Sequence, residues 1–380
     1  MPGPRAATTP ANGGTGKGMR LLVAAGGTGG HIYPALAIAR ACAERLGADP
    51  ILFVGARGGM EERLVPQAGF ALRTLAVGGL VRKRPAEALR GAFQLVSACG
   101  GALALLRSFR PDVVLGTGGY AAGPVGLAAG ALRVPLVLQE QNAIPGVTNR
   151  FLARFAACVA VPYPEARRRF PGGARLVVAG NPVRPEVLGQ EPAAARRRLG
   201  LPVAGRVVLM FAGSRGSAVF VGLLREFARR LTEGHLLFVS GVDHHPAALR
   251  AAGDAGPRVR VVPYLTEVGD GLAAADVVVC RAGAMTLAEL AAVGRASVLI
   301  PSPHVTHRHQ DANAAVFAAA GAALVLEEAG LDGGRLAGAV LGLLGDPARR
   351  AAMAAAARGL AQPDGLGRMV EAIAGAAASR

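Results

Sequence analysis

Short apolar, β-rich runs alternate with Ala/Leu-rich helical stretches along most of the chain. The runs predict strands at Leu21–Ala25, Ile51–Val54, Val113–Leu115, Leu136–Leu138, Val159–Val161 and Leu176–Val178. A second series follows at Val207–Phe211, Leu236–Val239, Val259–Val262, Val277–Cys280, Ser297–Ile300 and Ala323–Leu326. Their apolar residues are continuous rather than alternating, so both faces of each strand are covered, as in parallel sheets. Two such series predict an α/β chain with two doubly wound parallel sheets. Pro182, Pro185, Pro192 and Pro202 punctuate a polar stretch near 180–206, which reads as the linker between them. Ligands of doubly wound sheets sit beyond the carboxyl ends of the strands, so two facing domains put the cleft between them.

Composition narrows the partners. The 380 residues are 52% hydrophobic, enough for a sizeable core in each domain. Residues 1–18, rich in Pro, Gly, Thr and Ala without an apolar segment, read as a flexible tail, with Met19 directly before the first strand. Net charge is +17, and the basic residues are almost all arginine, Lys17 and Lys83 excepted. A basic surface favours phosphates, nucleic acid or anionic lipid. Aromatic residues are 4% with no Trp, which removes the stacking platforms that nucleic acid needs, and no nucleic-acid partner is expected. Cys42, Cys99, Cys158 and Cys280 are far apart, against a disulfide framework or a CxxC zinc site and in favour of a reducing compartment. Gly91–Leu106 is too short and too glycine-rich to span a bilayer, which takes about 20 apolar residues. It reads as a buried or membrane-surface helix.

Candidate chemistry gathers at strand ends. Gly26-Gly27-Thr28-Gly29-Gly30-His31 joins the first strand to a helix. Glycine lets backbone approach a ligand, and the helix N-terminus behind it offers free N–H groups and partial positive charge. The spacing fails the dinucleotide fingerprint, and the second strand ends without an acid for a ribose. Gly116-Thr117-Gly118-Gly119-Tyr120 repeats the pattern, and Gly213-Ser214-Arg215-Gly216-Ser217 opens the second domain in the same way. The plain alternative for each is a tight turn. Gln139-Glu140-Gln141-Asn142 places four polar side chains at a strand end, as substrate-orienting groups or as a capping turn before Pro145-Gly146. Glu289 follows a small-residue helix start, where a carboxylate can accept from two ribose hydroxyls or merely complement the helix dipole. His304, His307 and His309 lack metal-site spacing and read as a polar loop, so no metal is expected.

The segments GGTGGHIYPALAIA, LGTGGYAAGPVGLAA, QEQNAIPGVTNR, GNPVR and RAGAMTLAELAAVGRASVLIPSPH, followed by HQDANA, together resemble the MurG family of bacterial transferases. The resemblance runs from about Met19 to the C-terminus. It implies a GT-B fold, with residues 19–181 an acceptor and membrane-side domain, 182–360 a UDP-GlcNAc-binding domain, and 361–380 a helix packing back on the first domain. It implies an inverting transfer of N-acetylglucosamine from UDP-GlcNAc to the C4 hydroxyl of a lipid-linked MurNAc-pentapeptide, without a cofactor. Carried over by motif, Ser214 contacts the UDP phosphates, Leu265 meets uracil through its backbone, and Ala284, Met285, Thr286, Leu287 and Ala288 line the nucleotide. Glu289 takes the ribose and Gln310 the sugar, while Thr28, Gly29, Gly30, Asn142 and Arg184 complete the donor site. The acceptor pyrophosphate falls to Gly27, Gly116, Thr117, Gly118, Gly119 and Tyr120. His31, with an ordinary pKa near 6.5, is the leading base and Glu140 its rival. The third loop departs from the family pattern at Ala212, Arg215 and Ser217.

A lipid acceptor implies a peripheral place on the cytoplasmic face of the membrane. Arg82, Lys83 and Arg84, beside the apolar stretch Leu89–Leu106, suit an anionic surface. The alternatives are a diacylglycerol glycosyltransferase, a sugar-nucleotide epimerase, or a nucleotide-sugar-binding module without catalysis.

Overall fold

The computed structural model describes residues 18–77, 85–213, 216–253, 255–305 and 308–379, with backbone alone for 85–93. Tail residues 1–17, Arg82, Lys83, Arg84, Ser214, Arg215 and His307 lie outside the described residues.

Two parallel sheets form the frame. The first contains β1 (Leu21–Ala25), β2 (Ile51–Ala56), β3 (Ala71–Leu75), β4 (Val113–Gly118), β5 (Leu136–Gln139), β6 (Cys158–Val161) and β7 (Leu176–Val178), in the order β3-β2-β1-β4-β5-β6-β7. The second contains β8 (Val207–Phe211), β9 (His235–Val239), β10 (Val259–Val262), β11 (Val277–Cys280), β12 (Ala296–Leu299) and β13 (Ala323–Val325), in the order β10-β9-β8-β11-β12-β13. Around the first sheet run α1 (Gly29–Leu46), α2 (Glu61–Gln67), α3 (Pro85–Phe109), α4 (Ala122–Ala131) and α5 (Val147–Leu152). The second domain adds α6 (Pro192–Arg198), α7 (Ala218–Arg230), α8 (His245–Ala252), α9 (Val268–Ala274), α10 (Ala284–Val293), α11 (His309–Ala319), α12 (Gly333–Leu344) and α13 (Pro347–Leu360). The last helix, α14 (Gly365–Ala378), sends Met369, Val370 and Ile373 into the first domain against α1.

The continuous apolar strands work on both faces. From β1, Leu21, Val23 and Ala25 enter the core under α1 and α14, while Leu22 and Ala24 enter the one under α3 and α4. From β8, Val207 and Leu209 face α9 and α10, and Val208 and Met210 face α7 and α12. Each large side chain so buried contributes about 1.5–3 kcal/mol. Both sheets reverse their order beside the central strand, between β1 and β4 and between β8 and β11, and the glycine loops lie at these switch points.

Three features differ from the sequence expectation. Strand β3 is an added edge strand, half-exposed and interrupted by Arg73 and Thr74, so it lacks a continuous apolar run. Strand β4 extends through Gly118, which takes most of the second glycine loop into the sheet. The 180–206 stretch is ordered rather than a loose linker. Glu191 caps α6 by accepting from the N–H groups of Ala193 (2.9 Å) and Ala194 (2.6 Å). Arg196 ties that helix to Asp276 at 2.9 Å, within the second domain.

Candidate active site

The first glycine loop is shaped by what lies beneath it. A Cβ on Gly26 would sit 2.2 Å from Oε1 of Glu61, and one on Gly119 (φ 84°) would sit 2.1 Å from the Gly26 carbonyl oxygen. Gly119 is thus needed for the close approach of the two loops, Gly26 for that of Glu61 and Gly118 for that of the His31 ring, whether or not a ligand is bound. Gly27, Thr28 and Gly30 instead face solvent, with Gly29 half-buried among them. They begin an 18-residue helix whose leading N–H groups, at Gly29 and Gly30, precede the first intrahelical bonds, which run from His31 N and Ile32 N to the Thr28 carbonyl. That exposed lip is the part of the loop suited to an anion.

His31 lies in the first turn of α1, half-buried. Its Nδ1 is 3.1 Å from the Gly26 carbonyl oxygen and 3.3 Å from Thr28 Oγ1. A carbonyl can only accept, so Nδ1 carries the proton, and Nε2 is left with its lone pair. The ring edge bearing Nε2 lies over Gly118, where a Cβ would come within 3.0 Å. Burial pulls the imidazole below its ordinary pKa of 6.5, against the Gly26 bond and the charge of Glu140. Nearby His309 pulls the same way as burial, while Glu61 opposes it. The ring is therefore neutral at pH 7.

At the end of β5, Glu140 is 2% exposed. One oxygen accepts from Asn142 N at 2.9 Å and Asn142 Nδ2 at 3.3 Å, the other from Gly146 N at 3.0 Å and Asn149 Nδ2 at 2.9 Å. A carboxylate with four donors is an organiser of its own loop. Gln139 donates to Asn181 Oδ1 at 2.9 Å, and Gln141 donates to the Thr117 carbonyl at 2.7 Å. Asn181 donates in turn to the Gln141 carbonyl at 2.9 Å and to Ala284 O of the second domain at 3.4 Å. Asn313, fully buried on α11, also crosses between domains. Its Oδ1 accepts from Ala143 N at 2.8 Å, and its Nδ2 donates to Asn142 Oδ1 at 3.1 Å.

The second domain presents the start of α10. Glu289 is buried, and its Oε1 accepts from Arg184 Nε at 3.1 Å and Nη2 at 2.8 Å. Burial holds this carboxyl above the usual range, against the pull of the arginine. Ala284, Met285 and Thr286 are half-buried at the helix start, whereas the Leu287 side chain is wholly in the core. Ala288, half-buried, lines a cavity of about 220 Å³ together with Asn181 and Tyr163. The Leu265 side chain packs on the second-domain core, which leaves its backbone for a ligand. Gln310 Oε1 accepts from Ser302 N at 2.9 Å.

In the third loop, a Cβ on Gly216 would strike the Ser240 carbonyl oxygen at 1.9 Å. Behind that loop Arg281 donates to Ser217 Oγ at 3.1 Å, lies 5.0 Å from the Phe220 ring centre, and pairs with Glu328. Among the described residues no three His, Cys, Asp or Glu side chains gather as metal ligands. His304 is exposed, 3.9 Å from Glu328. Sequence reasoning passed over Glu61, Asn149, Asn181, Asn313 and the anchoring role of Arg281. Asn181 and Asn313 stood inside quoted motifs, but nothing local marks a side chain whose partner is in the other domain.

One outer face of the first domain, built by α3, α4 and α5, is apolar and basic. Val147, Phe151 and Phe155 are exposed around α5, with Arg150 and Arg154 beside them, and Leu95 and Val96 are exposed on α3. The Phe151 and Phe155 rings meet edge-on at 5.7 Å, and Arg154 lies 5.7 Å from the centre of Phe151. Among the described residues no helix is long and apolar enough to cross a membrane.

Comparison with known proteins agrees across the whole frame. Residues 21–161 match the glycosyltransferase family 28 N-terminal domain, and residues 207–369 match the family 28 C-terminal domain. A UDP-N-acetylglucosamine–N-acetylmuramyl-(pentapeptide) pyrophosphoryl-undecaprenol N-acetylglucosamine transferase of Symbiobacterium thermophilum is 46% identical, over 91% of this chain and 93% of its own length. The transferase of the same name from Salinibacter ruber is 43% identical, over 90% and 93%. The crystal structure of Acinetobacter baumannii MurG superimposes with a TM-score of 0.78 at 28% identity, covering 94% of this chain and 99% of that one. The architecture is the GT-B fold.

Proposed function

This chain belongs to glycosyltransferase family 28, and from that premise we propose that it transfers N-acetylglucosamine from UDP-GlcNAc to the C4 hydroxyl of a MurNAc-pentapeptide carried on undecaprenyl pyrophosphate. The diphosphate of the donor lies at the start of α10 and the third glycine loop, where Ser214 and the helix N-terminus meet it. Glu289 holds Arg184 with one oxygen and takes the ribose hydroxyls with the other. Gln310 meets the sugar, and the Leu265 backbone meets uracil. Thr28, Gly29, Gly30 and Asn142 close the donor site from the first domain. The acceptor pyrophosphate rests on the exposed part of the paired loops, Gly27 to Gly30 with Gly119 and Tyr120. Gly116, Thr117 and Gly118 support it from within the strand.

His31 Nε2 takes the proton of the C4 hydroxyl as that oxygen attacks the anomeric carbon. The bond from that carbon to the phosphate oxygen breaks, and the electron pair leaves with UDP. Attack opposite the leaving group inverts the anomeric centre and gives a β-1,4 link. Positive charge for the departing diphosphate comes from Arg184 and the α10 N-terminus. Glu140, occupied by four donors, holds the loop and leaves the proton to His31.

The observation that carries this reading is the tautomer of His31. Its Nδ1 is fixed on the Gly26 carbonyl, 3.1 Å away, which leaves a neutral Nε2 at the lip of an anion-binding loop. The basic, apolar face carrying Phe151, Phe155, Arg150 and Arg154 docks on anionic lipid and brings the cleft to its acceptor. Radiolabelled UDP-GlcNAc offered with a lipid-linked MurNAc-pentapeptide, with diacylglycerol, or with no acceptor tests the assignment. Label in the muramyl lipid alone supports it. Label in diacylglycerol contradicts it, as does bound but untransferred donor.

A further inference from the structure

Glu61 opens helix α2, beneath the first glycine loop, and is fully buried. Its neighbour Glu62 does what acids at helix starts ordinarily do, exposed and accepting from Gly58 N at 3.0 Å. Glu61 turns inward instead. Its Oε1 accepts from Ala56 N at 2.7 Å, and its Oε2 accepts from Gly27 N at 3.2 Å. Three glycines make room for it: a Cβ on Gly26, Gly55 or Gly59 would lie 2.2 to 2.3 Å from its side chain. Burying a carboxylate is costly, so a cavity built around one marks a use for the charge.

The peptide unit joining Gly26 to Gly27 shows that use. Its N–H is held by Glu61, and its carbonyl oxygen accepts from His31 Nδ1 at 3.1 Å. Chains of hydrogen bonds polarise one another, so a carboxylate on the N–H strengthens the carbonyl as an acceptor. We propose that Glu61 is a positioning residue for the base: through the Gly26–Gly27 peptide it orients His31 and stabilises the imidazolium formed when Nε2 takes the acceptor proton. This rests on His31 being the base. The other ionisable groups facing His31 are Glu140 at the end of β5 and His309 at the start of α11.

Glu61→Gln keeps the shape, removes the charge and leaves the α10 donor site untouched. Its kcat should fall by about 10–100-fold, the loss seen when the outer hydrogen-bond partner of a metal-bound histidine is removed, taken here as the scale for an oriented imidazole. The acid limb of kcat/KM should move to lower pH, because the imidazolium loses its support, while UDP-GlcNAc affinity stays unchanged. Gly59→Ala displaces the same carboxylate from outside the loop and should move the limb in the same direction, which covers a Glu61→Gln protein that does not fold. A folded Glu61→Gln or Gly59→Ala protein with wild-type kcat and acid limb overturns the proposal. So does a fully active His31→Ala protein. A wild-type protein that transfers no sugar contradicts the function itself, a separate result.

Discussion

Asn313→Ala removes a fully buried link between the two domains. In the native structure Oδ1 accepts from Ala143 N at 2.8 Å, and Nδ2 donates to Asn142 Oδ1 at 3.1 Å and to Ala282 O at 3.2 Å. The first two bonds join α11 to the loop after β5 in the other domain. The third stays within the second domain. A buried hydrogen bond contributes about 0.5–1.5 kcal/mol net, and an orphaned buried N–H costs about 1–3 kcal/mol. The Ala143 amide is left without its acceptor, so the two crossing bonds together are worth about 2–3 kcal/mol. That corresponds to about 30- to 150-fold in the equilibrium that holds the loops together. The assay is kcat/KM for UDP-GlcNAc at saturating lipid acceptor, with thermal unfolding followed in parallel. The expected result is a loss in that range with a lowered Tm and an unchanged circular dichroism spectrum. A variant within twofold of wild type, with the same Tm, refutes the view that this contact holds the cleft in its working form.

Glu289→Gln should weaken UDP-GlcNAc binding by about 10–100-fold, since hydrogen bonds to charged groups are worth about 1.5–3 kcal/mol, while acceptor KM stays level; calorimetry showing equal donor affinity contradicts the ribose role. Burial lowers the His31 pKa, and the base must be neutral, so the acid limb of kcat/KM should have its midpoint below pH 6.5 and activity should disappear as pH falls through it. A midpoint above 6.5 speaks against His31. Replacing exposed Phe151 and Phe155 together by Ser should cut binding to anionic vesicles by at least about tenfold, given about 1.5 kcal/mol or more for each ring buried. Equal sedimentation with vesicles removes that face from the membrane surface.

Much of the frame is legible in the chain because parallel strands are apolar on both faces. The β8 and β11 runs stand out from their neighbours for that reason. Strand β3 does not: as an edge, half-exposed, it carries Arg73 and Thr74 where a central strand would carry apolar residues. Helix α6 was hidden by Pro192, which reads as a breaker yet sits at the first helical position, where its missing N–H costs nothing. The glycine loops were visible as loops, but their glycines divide between two duties that sequence cannot separate. Gly26 and Gly119 yield to close backbone and side-chain neighbours, while Gly27 and Gly30 form the exposed lip. Glu140 reads as a rival base because its four donors come from a turn and the start of α5, brought to it only on folding. Glu61 lies in no recognisable motif, and Asn313 lies in one whose sequence does not reveal its partner, since each acts on a loop distant in the chain.

The most direct measurement of the central claim is the linkage in the product. Wild-type protein, UDP-GlcNAc and the lipid-linked MurNAc-pentapeptide are incubated, and the extracted lipid is examined by proton NMR alongside the UDP released. One UDP per new bond is expected, with N-acetylglucosamine joined β-1,4 to the muramyl sugar. An α-linked product, attachment at another hydroxyl, or UDP released with free N-acetylglucosamine and no disaccharide lipid contradicts it.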